Sequence, residues 1–497
     1  MKYTSTRDSN ISVTSAQAIA KGISDDGGLF IPERIPKLSH EEFKSIGEME
    51  YIDAAISVLE KFLTDYSREE LTDCACGAYS GTFDDDEPAP LVELEKGAFV
   101  LELWHGPTCA FKDLALQILP FLLTKASAKV SKGETKVILV ATSGDTGKAA
   151  LEGFADVEGV KILTFYPENG VSAMQKLQMI TQTGDNVNVC AIQGNFDDAQ
   201  SGVKRIFTDP TIAKKLAAQG MSFSSANSIN WGRLVPQIVY YIYSYATLLR
   251  NGELKPDEGF NVVVPTGNFG NILAAYYARK MGAPIKKLIC ASNQNHILTD
   301  FIKTGVYDRN RDFYTTLSPS MDILISSNLE RLLYDLTEDD AKVRAWMDEL
   351  AKTGKYTVDQ ETFEKINELF YAGYADDTLT KAAIQENFEQ NEYLADPHTA
   401  VALHVYKQYV TETQDHSVSV IASTASPFKF SRGVLEALTG ERSDADEFDL
   451  IEKLSEISGY DVPAPIGALK GKTPRFTASC HKDEMKHVVL KMLGIGD

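Results

Sequence analysis

The sequence predicts an α/β protein built from two parallel-sheet lobes, and three observations carry that prediction. Apolar runs of four to seven residues recur, each is followed by a turn and a helix-period stretch, and the runs fall into two clusters. Short buried strands alternating with helices of about 10–15 residues are the signature of parallel sheets with crossover connections. In chain order, a helical pattern over 51–71 precedes the acidic stretch Asp84-Asp85-Asp86, which with Pro88 and Pro90 reads as a loop. Residues 136–141 read as a strand, 142–147 as a turn and 148–155 as a helix. Strand 161–166 leads to a helix over 171–181, and strand 188–192 to a helix over 197–207. The second cluster opens with strand 261–265, a glycine-rich turn and a helix over 272–281, and adds strands 287–292 and 417–422. On this reading 1–95 is an N-terminal segment and 126–225 a small α/β lobe. Residues 96–125 and 226–440 form a large lobe, with a mostly helical excursion over 330–412, and 441–497 is a C-terminal segment.

Composition narrows the function classes. The 497 residues carry 49 Lys+Arg against 70 Asp+Glu, a net charge of −21. That balance argues against sequence-independent binding of nucleic acid or an anionic membrane, and it leaves room for a local basic pocket. Six cysteines are too sparse for a disulfide scaffold and suit a reducing compartment. Cys74-Ala75-Cys76 has no second pair, and the eight histidines show no metal-ligand spacing, so no metal is expected. The first residues lack an apolar signal core, and the apolar run 114–123 is too short to span a bilayer and contains Pro120. A soluble, cytoplasmic protein acting on a small molecule is the expectation, as monomer or homodimer.

In open α/β sheets ligands bind beyond the carboxyl ends of the strands, so chemistry is expected in the turns after Ala141, Pro265 and Ala422. Thr266-Gly267-Asn268-Phe269-Gly270-Asn271 has neither P-loop nor G-x-G-x-x-G spacing. It is either a phosphate cradle of N–H groups at a helix N-terminus or a tight connection that binds nothing. In Thr142-Ser143-Gly144-Asp145-Thr146-Gly147-Lys148 the two glycines are too close for a Walker A loop. Its hydroxyls and amides suit a carboxylate or one phosphate group; alternatively Thr142, Ser143 or Asp145 caps the helix.

Lys112 stands at a helix start among Ala110, Phe111 and Leu114. Desolvation and the helix dipole lower a lysine pKa there, which prepares it for Schiff-base chemistry. The alternative is a solvated lysine paired with Asp113. Arg233, at the start of the helix after Asn227-Ser228-Ile229-Asn230, is a cation at a positive dipole end, which a bound anion or a surface ion pair would explain. His398, after Pro397, reads as helix-entry chemistry with no catalytic role. A Schiff-base lysine and a phosphate turn in one doubly wound chain together suggest pyridoxal phosphate.

Taken in order, these motifs resemble the threonine synthase family in its longer bacterial and fungal form. The stations are residues 26–32 (DGGLFIP), 105–113, 141–147, 227–233, 265–271 and 423–430 (STASPFKF), and the resemblance runs from residues 3–7 (YTSTR) to about Phe430. It implies the tryptophan-synthase-β-like, fold type II architecture of pyridoxal 5′-phosphate enzymes. It also implies conversion of O-phospho-L-homoserine and water into L-threonine and phosphate, the last step of threonine biosynthesis. By the family's motif Lys112 would hold the cofactor as a Schiff base. Gly267, Asn268, Phe269, Gly270 and Asn271 would hold its phosphate, and Thr424 would face the pyridine nitrogen. Ser143, Gly144, Asp145 and Thr146 would receive the substrate's amino-acid end, and Asn230 and Arg233 its phosphate. Related enzymes commonly carry Asn where Asp145 stands. Two alternatives remain at this level: a phospho-lyase that releases a 2-oxo acid, and a non-catalytic anion-binding α/β protein.

Overall fold

The computed structural model describes residues 1–85, 87–131 and 133–496; the Asp86 part of the acidic stretch lies outside the described residues. Two sheets organise the chain. The larger runs, edge to edge, through Phe370–Tyr374, Ile285–Ser292, Phe260–Pro265, Ser419–Ser423, Ala98–Glu102 and Leu91–Glu95. Its first five strands are parallel and the last is antiparallel. The smaller is wholly parallel, in the order Ser479–His481, Val187–Gln193, Val160–Pro167, Thr135–Ala141 and Met221–Ser224. The architecture is therefore the α/β, two-sheet fold that the alternation of apolar runs predicts. Strands buried on both faces read as near-continuous apolar runs, which is why 136–141 and 261–265 were legible.

Three elements differ from the sequence reading. The helical pattern over 51–71 is two helices, Tyr51–Phe62 and Arg68–Tyr79. The break comes where Asp65 accepts hydrogen bonds from the Ser15 hydroxyl and the Ala16 amide, and where Ser67 and Glu70 form a capping box that starts a new helix. The excursion over 330–412 contains the edge strand Phe370–Tyr374 of the large sheet. The C-terminal segment divides: Glu447–Ser458 packs on the helix Ser431–Thr439, whereas Ser479–His481 extends the small sheet and Met485–Leu493 packs on Phe196–Phe207. Such long-range pairings have no local sequence signal.

The helix Trp231–Asn251 is buried along nearly its whole length and packs on the helices Gly270–Met281 and Tyr51–Phe62. Trp231 packs edge-on against Tyr3 and Tyr277 and tilted against Phe62, so N-terminal segment, helix and large lobe share one core. That core fixes the carboxyl ends of both sheets relative to each other, and the turns beyond Ala141, Pro265 and Ser423 open into one cavity of about 670 Å³.

Candidate functional site

The turn after Ala141 is built by Thr142. Its Oγ1 accepts from the Gly144 and Gly147 amides at 2.9 and 2.8 Å, so Thr142 serves the helix start, and Ser143, Asp145 and Thr146 line the cavity. Gly144 does not line it. With φ 134° it permits the turn, and a Cβ there would come within 2.4 Å of the Gln175 side chain.

Lys112 faces the same cavity. The solvated Lys112–Asp113 pair is not what forms, because both side chains are buried. Asp113 turns away to accept from the Thr108 amide and hydroxyl at 2.8 and 2.6 Å, and burial pushes its carboxyl up to about 6. The Lys112 Nζ instead lies 3.5 Å from Asp145 Oδ2 and 4.4 Å from the centre of the Phe111 ring. Burial lowers the lysine to about 8; Asp145 opposes the change, while Arg233 and Lys429 reinforce it. Asp145 is also buried, which would raise it, but Lys429 and Lys112 hold it well below the usual carboxylate range.

The glycine-rich turn enters the helix Gly270–Met281 through a left-handed residue, and that residue is Phe269, φ 64°, rather than either glycine. Its ring is buried against Phe370, which helps to offset the strained backbone. Gly267 is needed for a different reason: a Cβ there would stand 2.9 Å from the Ser320 carbonyl oxygen. No side chain caps the first turn of this helix, leaving its amides available to an anion. Asn271 accepts the Tyr240 and Tyr241 hydroxyls at 2.7 and 2.6 Å, and its buried Nδ2 has no partner among the described residues. Thr424, directly beyond the strand Ser419–Ser423, lines the same cavity; its carbonyl accepts the Phe111 amide at 2.9 Å and so ties this turn to the one that carries Lys112.

Arg233 and Asn230 part company. Asn230 caps the helix Trp231–Asn251 by accepting from the Gly232 amide, donates to Ile19 O and Ser225 O, and does not line the cavity. The expectation that it contacts substrate phosphate is corrected: its amide is already engaged on both sides. Arg233 does line the cavity. It is 4% exposed, donates Nη1 to Ala226 O at 2.7 Å, and keeps a buried Nε without a partner among the described residues. Burial lowers it to about 10, and the surface-ion-pair reading falls.

Two further residues, Ser320 and Lys429, escaped the sequence reading, and His398, read there as helix-entry chemistry, faces the cavity as well. His398 lines the cavity; its Nδ1 contacts Asp396 at 2.6 Å and its Nε2 accepts the Ser320 amide at 3.1 Å. The Ser320 hydroxyl reaches Asp145 Oδ2 at 3.2 Å. Lys429, fully buried, meets Asp145 Oδ1 at 2.6 Å. Its place in the motif 423–430 was the available signal; only the folded chain brings it to Asp145.

Comparison with known proteins follows the same stations. Family models match at residues 2–79 (threonine synthase N terminus), 83–424 (pyridoxal-phosphate dependent enzyme) and 399–465 (threonine synthase, C-terminal). The last extends beyond Phe430, where the motifs ended. Threonine synthase of Saccharomyces cerevisiae is 38% identical over 92% of this chain and 93% of its own length, and that of Pseudomonas aeruginosa 39% over 89% and 91%. Threonine synthase-like 1 of Homo sapiens is 41% identical over 85% of this chain, which spans 58% of that protein's length. A PLP-bound threonine synthase structure from Brucella melitensis superposes with a TM-score of 0.86 at 35% identity, covering 99% of both chains.

Proposed function

The chain belongs to the threonine synthase family of pyridoxal 5′-phosphate enzymes, and on that premise we propose that it converts O-phospho-L-homoserine and water into L-threonine and phosphate. One observation carries the reading: a desolvated lysine, an uncapped helix N-terminus and a buried arginine with a free donor meet in one cavity. These residues fit the cofactor. Lys112 would hold it covalently, the amides of the turn 267–271 would hold its phosphate, and the Thr424 hydroxyl would face its ring nitrogen. When bound, it supplies an electron-withdrawing ring that stabilises negative charge at the substrate carbons.

The protein's own groups do the rest. Ser143 and Thr146 present hydroxyls, with the helix-start amides beside them, to the substrate's carboxylate. Lys112, with a pKa near 8, is neutral in a useful fraction of molecules, so its Nζ can take a proton from the substrate's Cα and return it at another carbon. Asp145, an anion under all working conditions, stabilises Lys112 whenever it carries that proton. Arg233 receives the departing phosphate, and the dianion supplies a counter-charge to the buried guanidinium, which forms no ion pair among the described residues. Thr424, a hydroxyl rather than a carboxylate, would leave the ring nitrogen free of an enforced positive charge. The chain then differs from an anion-binding protein in having a base next to its anion site.

The purified protein should show the visible band of a lysine-bound cofactor, and borohydride should trap the label on Lys112. With O-phospho-L-homoserine it should release phosphate and L-threonine in equal amounts. A 2-oxo acid in place of threonine would assign the phospho-lyase reaction instead. Label on Lys429 or Lys148, or no visible band at all, would overturn the site.

A further inference from the structure

The motif 423–430 carries, one residue before its end, a lysine for which the reaction above has no task. Lys429 sits in the short turn Pro427–Phe430 and is fully buried. Its Nζ lies 2.6 Å from Asp145 Oδ1 and donates to the Thr108 carbonyl at 2.8 Å. Asp145 divides its two oxygens. Oδ1 takes Lys429 and the Gln175 amide at 2.9 Å, whereas Oδ2 faces Lys112 at 3.5 Å and the Ser320 hydroxyl at 3.2 Å. Other charged or titratable groups also face the row: the buried Cys109 thiol, pushed up to about 12 by burial, lies near Lys429. Arg233 faces it from the helix Trp231–Asn251, His398 is held between Asp396 and the Ser320 amide, and Asp113 is engaged by Thr108.

We propose that Lys429 is a positioning residue for Lys112: it clamps one oxygen of Asp145, so that the other stays aimed at the Lys112 amine, and the row Lys429–Asp145–Lys112 sets how readily Lys112 gives up its proton. The proposal rests on Lys112 being the reactive lysine. A free carboxylate in a cavity could rotate toward either lysine or toward a ligand; an ammonium seated between Asp145 and a backbone carbonyl removes that freedom. Electrostatics then gives opposite signs to the two neighbours. The Lys429 cation disfavours a proton on Lys112, and the nearer Asp145 anion favours it.

The test reads the lysine itself. The full-length chain, freed of cofactor, is trace-labelled with acetic anhydride across a pH series, and Lys112 acetylation is followed by peptide mass. Wild type should titrate near 8. Lys429→Gln, which keeps a donor but no charge, should move the midpoint upward; at pH 7 a change of one pKa unit makes labelling about tenfold slower. Asp145→Asn should move it downward and make labelling at pH 7 about fivefold faster. Breaking a buried pair at one end can prevent folding. The double variant, neutral at both positions, therefore serves as a second test and should titrate below wild type but above Asp145→Asn, or simply below wild type where that single variant does not fold. An unmoved midpoint in a folded Lys429→Gln or in the double variant would overturn the proposal, as would a shift of the same sign in both single variants. Because labelling is read without cofactor, a wild-type holoenzyme lacking the visible band would overturn the functional reading separately.

Discussion

Arg233→Met separates folding from function at one position. In the free chain the guanidinium is 4% exposed, has a single hydrogen bond to Ala226 O, and leaves Nε unpaired. Burial lowers its pKa to about 10, a depression worth about 3 kcal/mol at 1.36 kcal/mol per pKa unit. A base whose pKa falls on folding costs stability wherever it is protonated in both states, so the cost is complete at neutral pH, begins to fall as pH rises through about 10 and is gone only above the ordinary arginine pKa. Methionine removes the charge, nearly keeps the volume and gives up a hydrogen bond worth about 1 kcal/mol. The phosphate-free variant should therefore be more stable by about 2 kcal/mol, a rise in Tm of about 2 °C for a chain of this size. Millimolar inorganic phosphate should raise the Tm of wild type and leave the variant unchanged. In the reaction, loss of charge-assisted contacts worth about 1.5–3 kcal/mol should lower kcat/KM by about 10–200-fold, and Arg233→Lys should recover only part of it. Calorimetry with and without phosphate, beside steady-state kinetics, decides the matter. A variant that is less stable than wild type, with unchanged kcat/KM, would refute the reasoning. One that loses the cofactor band yet turns over normally with added cofactor would place Arg233 in the cofactor site.

The other predictions concern supporting positions. Gly267→Ala should weaken cofactor affinity by about tenfold or more, because the new Cβ stands 2.9 Å from a backbone oxygen and 3.2 Å from the Met321 Cα; Gly270→Ala, whose nearest contact is 3.3 Å, should weaken it less. Fluorescence titration with the cofactor ranks the two. Asn230→Ala should cost about 2–3 kcal/mol by removing a helix cap and two buried donors, with KM unchanged in the folded fraction. A raised KM would return Asn230 to the substrate site. His105 lies between Asp84 and Glu102 at 2.8 and 2.9 Å; burial would lower it, but the two carboxylates push it up to about 9. Its stabilisation is complete below its ordinary pKa and lost as pH rises through about 9, so His105→Gln should cost about 1–2 kcal/mol more at pH 6 than at pH 10. Urea unfolding at the two pH values measures this, and equal costs would refute the charged form.

The site was legible to the extent that its chemistry lies in turns next to strong periodic signals. The turn 266–271 and Thr424 directly follow strand ends, Lys112 stands at a helix start beyond the strand Ala98–Glu102, and parallel topology sends those strand ends to one side. Ser143, Asp145 and Thr146 were legible for the same reason, although the sequence left open which residue caps the helix; in the structure it is Thr142. Asn230 shows the limit of motif reading. An asparagine at a helix start is equally good as a cap and as an anion contact, and only its partners, Ile19 O, Ser225 O and the Gly232 amide, distinguish the two.

By itself, the sequence determined whatever depends on neighbours a few residues apart. That covers the alternation of buried strands and helices, the glycine-rich turn, the apolar setting of Lys112 and the motif order that carries the family resemblance. Tertiary structure alone decided which groups meet across long separations. Lys429 reaches Asp145 from 284 positions away, the Ser320 hydroxyl donates to the same carboxylate while its amide donates to His398, and Ser479–His481 completes a sheet begun more than 300 residues earlier. The physical reason is that periodicity and capping are local free-energy preferences, whereas the ionisation of a buried carboxylate between two lysines depends on distance and desolvation in the folded chain, and neither exists until the two lobes have packed around Trp231.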